Sequence, residues 1–344
     1  GGPQATIKMQ EENNFIDCIM LGGDGEHNFL DLLRRGYDAP KVYDKGRIKD
    51  LDFPSPYQSG VFDKIIKDNP DTLWATIIES NRGCPHRCTY CDWGGTTMGK
   101  INKFNLDRVQ EDIDWVRDNN VGFLMLSDAN FGIFAERDLE IAKLFRDAAN
   151  RGKIEAINVQ YSKNSTEVIF EIAKILGDIS RGVTLSVQSM NEPTLKSIKR
   201  KNMSINKISE QIEKSKKYGV KTYTELILGL PEETLDSWKD GFAQILECGQ
   251  HDSIDVWFCQ MFGDTDLNSS LSREVHGIKT IKAEDYMSFS KEDYGIKEVI
   301  ELISETNTMT NDELIEAYLY GWLVIQFHIA RSEEHTSELQ SLTN

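Results

Sequence analysis

The sequence predicts an α/β fold with a parallel sheet, either a partial or full βα barrel or an open doubly wound sheet. Three observations carry this. From Leu73 onward, apolar β-branched runs at 73–79, 121–127, 154–161, 182–189, 221–228 and 254–260 are separated by helical stretches at 106–119, 136–150, 165–176, 204–218 and 234–248, where apolar residues recur at three- and four-residue spacing. The strand runs are continuously apolar, as strands covered by helices are. A loop rich in cysteine follows the first run directly, and in both arrangements chemistry gathers at the C-terminal ends of the strands, where loops vary on a fixed scaffold.

The flanks read differently. Residues 15–21 form a short apolar strand, Gly22-Gly23-Asp24-Gly25 a tight turn, and residues 26–35 an amphipathic helix, together the last βα unit of another domain. With Pro40, Pro54, Pro56 and Pro70 and few periodic apolar positions, the following stretch reads as a linker on the surface. The expected organisation is therefore a domain remnant over 1–36, a linker over 37–72, a core barrel over 73–262, a C-terminal extension over 263–330 and a non-native tail over 331–344. The opening Gly1-Gly2-Pro3 suggests that the remnant's domain begins upstream, and the tail from Arg331 resembles the translation of a sequencing adapter.

At 344 residues with 39% hydrophobic content, the chain can bury a sizeable core. The 39 basic against 56 acidic residues give a net charge of −17, which argues against a broad phosphate-binding surface and so against nucleic acid as a partner. The basic run from Lys196 to Lys201 reads as a solvated helix face. No stretch approaches the roughly 18 apolar residues of a membrane span, and the start lacks a signal-peptide pattern, so the cytoplasm is the expected location. Six cysteines, half of them in one cluster, do not resemble a secreted disulfide framework.

That cluster is Cys84-Pro85-His86-Arg87-Cys88-Thr89-Tyr90-Cys91. Three thiols lack the fourth ligand of a closed tetrahedral site, whereas an iron-sulfur cubane on three thiolates leaves one iron open to a small molecule. The rival is a zinc-binding interaction module in which His86 completes a set with Cys84, Cys88 and Cys91. A second rival, an NAD- or phosphate-binding protein, draws on Gly22-Gly23-Asp24-Gly25 and Gly94-Gly95, but neither matches the dinucleotide or P-loop spacing. Cys248 and Cys259 stand apart and read as buried apolar positions.

With Cys84, Cys88, Cys91 and the preceding Tyr90, the chain resembles the radical S-adenosylmethionine superfamily, its cobalamin-binding branch in particular. The resemblance extends through Glu225-Leu-Ile-Leu-Gly229-Leu230-Pro231, Asp128-Ala-Asn130 and Val187-Gln188-Ser189. It implies a partial (βα)6 TIM-type barrel preceded by the remnant of a Rossmann-like cobalamin-binding domain. It also implies a [4Fe-4S] cluster on the three cysteines that cleaves S-adenosylmethionine to a 5′-deoxyadenosyl radical for hydrogen abstraction, with cobalamin in the full-length parent and radical methyl transfer as the leading reaction. Tyr90 would pack near the adenine, and the backbone of Gly229, Leu230 and Pro231 would lie along it. Asp128 and Asn130 would receive the methionine amino group, although the family's usual Gly-Gly-Glu is absent. Lys163 would meet the methionine carboxylate, and Gln188 and Ser189 the ribose. The implied partners are a small-molecule or natural-product substrate and a one-electron donor such as flavodoxin or ferredoxin.

Overall fold

A computed structural model describes residues 5–21, 25–44, 46, 51–91, 93, 100–163, 167–263, 265–284 and 298–330. The N-terminal region holds α1 (Ile7–Glu12), β1 (Ile19–Met20), α2 (Gly25–Arg35) and β2 (Val42–Tyr43), and β1 pairs with β2 in parallel. α3 (Asp63–Asp68) leads into β3 (Trp74–Ile78), which a short antiparallel pair follows, β4 (Asn81–Arg82) with β5 (Asn102–Lys103). The βα repeat continues through α4 (Leu106–Asp118), β6 (Val121–Phe131), α5 (Ala135–Arg151), β7 (Ala156–Tyr161), α6 (Glu167–Leu176) and β8 (Val183–Gln188). It closes with α7 (Glu192–Ser197), α8 (Ile205–Tyr218), β9 (Thr222–Leu228), α9 (Leu235–Glu247) and β10 (Ile254–Phe258). Beyond lie α10 (Ser270–Val275), an antiparallel hairpin of β11 (Lys279–Glu284) and β12 (Val299–Glu305), and α11 (Asn311–Val324).

Strand order decides between the two expected arrangements. The ladders run β3-β6-β7 and β8-β9-β10, all parallel, with a parallel bridge from Ile157 to Ser180 joining the two sets just before β8. Six parallel strands in strict chain order form the arc of a partial βα barrel. A doubly wound sheet would reverse order at a switch point.

The arc is held by one apolar layer between strands and outer helices. Leu124, Leu126, Val159, Leu185, Val187, Leu226 and Leu228 meet Ile113, Phe145, Phe170, Ile212 and Phe242 from the helices. Truncating any of these large side chains to Ala costs about 2–5 kcal/mol through lost burial and the cavity left behind. Alternate residues turn to the concave side, where Ser186 and Glu225 are register partners and the Ser186 hydroxyl donates to the Glu225 carboxylate at 2.8 Å.

Three boundaries differ from the sequence reading in ways that matter. β6 runs to Phe131, which pairs with Tyr161, so Asp128 and Asn130 lie on a strand. The stretch read as a linker packs against the barrel: Leu51 is in the core, Ser55 bonds to Asp112, and Tyr57 bonds to the Ile77 carbonyl. The N-terminal strand expected over 15–21 is reduced to the two residues of β1, which pair with Val42 and Tyr43. Gly22-Gly23-Asp24, Gly94-Gly95, the start of the helix expected at 165, and the tail from Arg331 lie outside the described residues.

Candidate metal centre

The cysteine loop leaves the barrel at the C-terminal end of β3 and is closed at its base by the β4–β5 pair. Its entry is fixed by buried polar groups. Asp128 is fully buried and receives the backbone N–H of Ser80 at 2.7 Å and of Asn81 at 3.1 Å on one carboxylate oxygen. The other oxygen takes the Ser80 hydroxyl and the Asn81 side-chain amide. Burial pushes the Asp128 carboxyl up to about 6, against the pull of the donors from Ser80 and Asn81. Arg137 completes this anchor by donating to the carbonyls of Ser80 and Phe104 at 2.9 and 3.1 Å. Gly83 then turns the chain with a φ of 132°, where a side chain is disfavoured, and delivers Cys84 into the interior.

The loop's far side is docked on the opposite half of the arc. The Thr89 N–H donates to the Ile198 carbonyl at 3.1 Å, and the Thr89 carbonyl accepts from the Leu267 N–H at 2.9 Å. Tyr90 packs against a second apolar cluster containing Ile198, Leu230, Leu267 and Ile303. The Cys91 N–H donates to the Cys88 carbonyl at 3.1 Å, a tight turn that gathers the last two cysteines.

None of the three thiols is in a disulfide, and Cys84 and Cys88 are buried. Donors and cations surround them. The Asn130 side-chain amide reaches Cys84 Sγ at 3.4 Å, Lys163 Nζ lies 3.8 Å from Cys88 Sγ, and the Arg200 guanidinium lies 4.0 Å from the same sulfur. Arg200 is buried, donates to the Ser186 carbonyl and to Asn202, and stands 3.5 Å from the Tyr90 hydroxyl. Burial holds the Tyr90 phenol well above its ordinary range. His86 is lowered by burial first and then by Lys163 and Arg200, which keeps its imidazole neutral.

Eight of the predicted site residues fall into two sets. Cys84, Cys88, Cys91, Tyr90, Asn130 and Lys163 come together around the loop. Asp128 and Ser189 are committed within the protein, Asp128 to the loop entry and the Ser189 hydroxyl to the buried carboxylate of Glu233. Gln188 is buried at a break in the β8–β9 register with a φ of 66°. At the end of β9, Gly229 has a φ of 94°, and an added Cβ would meet Ile303 at 3.4 Å. Leu230 and Pro231 are buried beside it, and the Pro231 carbonyl accepts from Ser197 at 3.2 Å.

Sequence reading missed Arg200. It belongs to the basic run expected to be a solvated face, and it is the run's one buried cation. The available signal was chemical: it is an arginine among lysines, and a fixed guanidinium fork suits a buried polar site as an ammonium does not.

The donor set fits an anionic iron-sulfur group: three thiols with no disulfide partner, faced by an amide N–H and two cations. The zinc rival finds no support. Among the described residues no group of three or more His, Cys, Asp and Glu side chains is placed to hold a single metal ion. No helix among them is long and apolar enough to cross a membrane.

An arc of parallel strands with a three-cysteine loop after its first strand defines a radical S-adenosylmethionine domain. Residues 78–244 match the model of the Radical SAM superfamily, which makes that stretch a radical SAM domain. It is 34% identical over 351 residues to the cobalamin-dependent radical SAM methyltransferase TokK of Streptomyces tokunonensis, covering 93% of this chain and 51% of that protein. It is 33% identical over 345 residues to the 2-(S-pantetheinyl)-carbapenam-3-carboxylate methyltransferase of Streptantibioticus cattleyicolor, covering 92% of this chain and 50% of the relative. The chain therefore spans about half the length of the curated relatives it matches. Among solved structures, the radical S-adenosylmethionine methyltransferase TsrM from Kitasatospora setae, with cobalamin and a [4Fe-4S] cluster bound, shares the fold at a TM-score of 0.50 and 14% identity, over 66% of this chain and 46% of that one.

Proposed function

We propose that this chain is the radical-generating portion of a cobalamin-dependent radical S-adenosylmethionine methyltransferase acting on a small natural product, by analogy with one of its relatives a carbapenam. The observation that carries the reading is the convergence of Cys84, Cys88, Asn130, Lys163 and Arg200. When bound, the [4Fe-4S] cluster and S-adenosylmethionine supply a 5′-deoxyadenosyl radical, and cobalamin in the parent protein supplies the methyl group. The chain's own residues bind and orient. Cys84, Cys88 and Cys91 would hold the cluster; Lys163 and Arg200, on the Cys88 side, would offer cations to a carboxylate; and Asn130 keeps a buried side-chain oxygen with no partner, an acceptor for an ammonium. Glu225, bonded to Ser186 on the concave side, is placed to accept from hydroxyl groups. The one-electron donor belongs to the same proposal, since the chemistry requires one.

Anaerobic reconstitution with iron and sulfide, followed by EPR of the reduced protein, tests the reading. The expected result is a [4Fe-4S] signal that changes on adding S-adenosylmethionine and is absent in Cys88→Ala. Uptake of zinc in place of a cluster, or a signal indifferent to S-adenosylmethionine, would overturn it.

A further inference from the structure

We infer that Asn130 is a positioning and tuning residue for the cluster: its side-chain N–H donates to the Cys84 thiolate and raises the reduction potential of the cluster held there. The inference rests on the reading in which Cys84 is a cluster ligand. Asn130 lies four residues beyond Leu126, where the apolar run of β6 ends, fully buried, with its amide nitrogen 3.4 Å from Cys84 Sγ. A ligated thiolate is an acceptor without a proton to give, so the amide must present its N–H to sulfur. That leaves the carbonyl oxygen on the other side, where it is buried and unpartnered.

The contacts of Asp128 and Asn130 place both on one stretch of β6, where its register with β7 shifts between Leu126 and Phe131. Asp128 holds Ser80 and Asn81, the residues that lead into the loop, and Asn130 meets the first cysteine of that loop. The strand that fixes the entry of the loop thereby also fixes the donor against its first sulfur. Hydrogen bonds to cluster sulfurs are among the determinants of iron-sulfur potentials. A donor draws negative charge from the sulfur and so favours the reduced state, which carries more of it.

The test is an EPR-monitored redox titration of the reconstituted chain, with dithionite as reductant, on wild type and Asn130→Leu, which keeps the volume and removes the donor. Iron and sulfide content are read on the same samples. The expected result is equal cluster content and a lower midpoint potential in Asn130→Leu. Should that variant take up no iron, the pair Asn130→Ser and Asn130→Ala reads the same quantity, one with a donor and one without. A higher potential in the serine variant supports the inference. Equal potentials within either pair overturn the inference while the cluster reading stands; a wild-type chain that forms no [4Fe-4S] cluster removes that reading and this inference with it.

Discussion

The two ends of the cysteine loop are anchored by opposite means. Upstream, Ser80 and Asn81 hang on the carboxylate of Asp128, backed by Arg137, in a buried network of charges and hydrogen bonds. Downstream, Thr89 uses main-chain bonds to Ile198 and Leu267, and Tyr90 packs into an apolar cluster, with Arg200 as the single buried cation. A polar anchor is rigid while every partner is satisfied and fails sharply when one is removed. An apolar anchor with main-chain bonds fails by degrees. The first cysteine therefore depends on a few side chains, and the last two depend on packing.

The largest expected break in this contrast is Asp128→Ala. It strands four donors in a dry interior, and removing one member of a buried charged network costs about 3–5 kcal/mol. Chemical denaturation measures the loss; a destabilisation below about 1 kcal/mol would show that the upstream anchor is dispensable. On the downstream side, Arg200→Met should cost about 2–3 kcal/mol, as hydrogen bonds to charged groups do. The exposed neighbour Lys201→Met should stay within about 0.5 kcal/mol. Equal effects from the two would return Arg200 to the solvated face that its run suggested.

A pH experiment isolates Asp128. Its folded carboxyl titrates near 6 and its ordinary value is 3.8, so the folded protein binds the proton more tightly than the unfolded chain. The sign follows: this contribution to stability is fully present below pH 3.8, declines as pH rises, and is lost above about pH 6. A gap of about two pKa units corresponds to on the order of 2–3 kcal/mol. Asp128→Asn should therefore lack one component of the stability profile between pH 4 and 6, seen as a difference between the two unfolding curves. Parallel profiles would mean that the four donors hold the carboxylate ionised throughout.

Much of this was legible in the sequence and some was not, for identifiable reasons. The six core strands and five outer helices followed from periodicity, because each buries one continuous apolar face. The extension of β6 through Asp128 and Asn130 was hidden, since polar residues end an apolar run on paper. Those residues stay extended because Ser80, Asn81 and Cys84, distant in sequence, satisfy them. The β4–β5 stem and the β11–β12 hairpin were missed for a related reason: short antiparallel pairs are set by their partners more than by their own pattern. At the site, the three cysteines announced themselves by spacing. Arg200 did not, since its one mark, an arginine among lysines, is faint within a run of charges.

The smallest prediction concerns the C-terminal helix α11, which crosses α9 and takes the Trp238 indole N–H on its Ala317 carbonyl at 2.9 Å. Its start is a capping box: the Thr310 hydroxyl accepts from the Glu313 N–H at 3.4 Å, and the Glu313 carboxylate accepts from the Thr310 N–H at 2.8 Å. Thr310→Ala removes one half of this exchange and should cost about 1 kcal/mol. The helix also packs Leu314 within 3.6 Å of where a Cβ on Gly229 would stand, so it borders the end of β9. The variant should therefore lower the unfolding midpoint and leave the S-adenosylmethionine-dependent EPR change intact. A changed EPR response would show that the downstream anchor extends through Leu230 and Ile303 to this helix, widening the apolar side of the contrast at the expense of its independence from the C-terminal region.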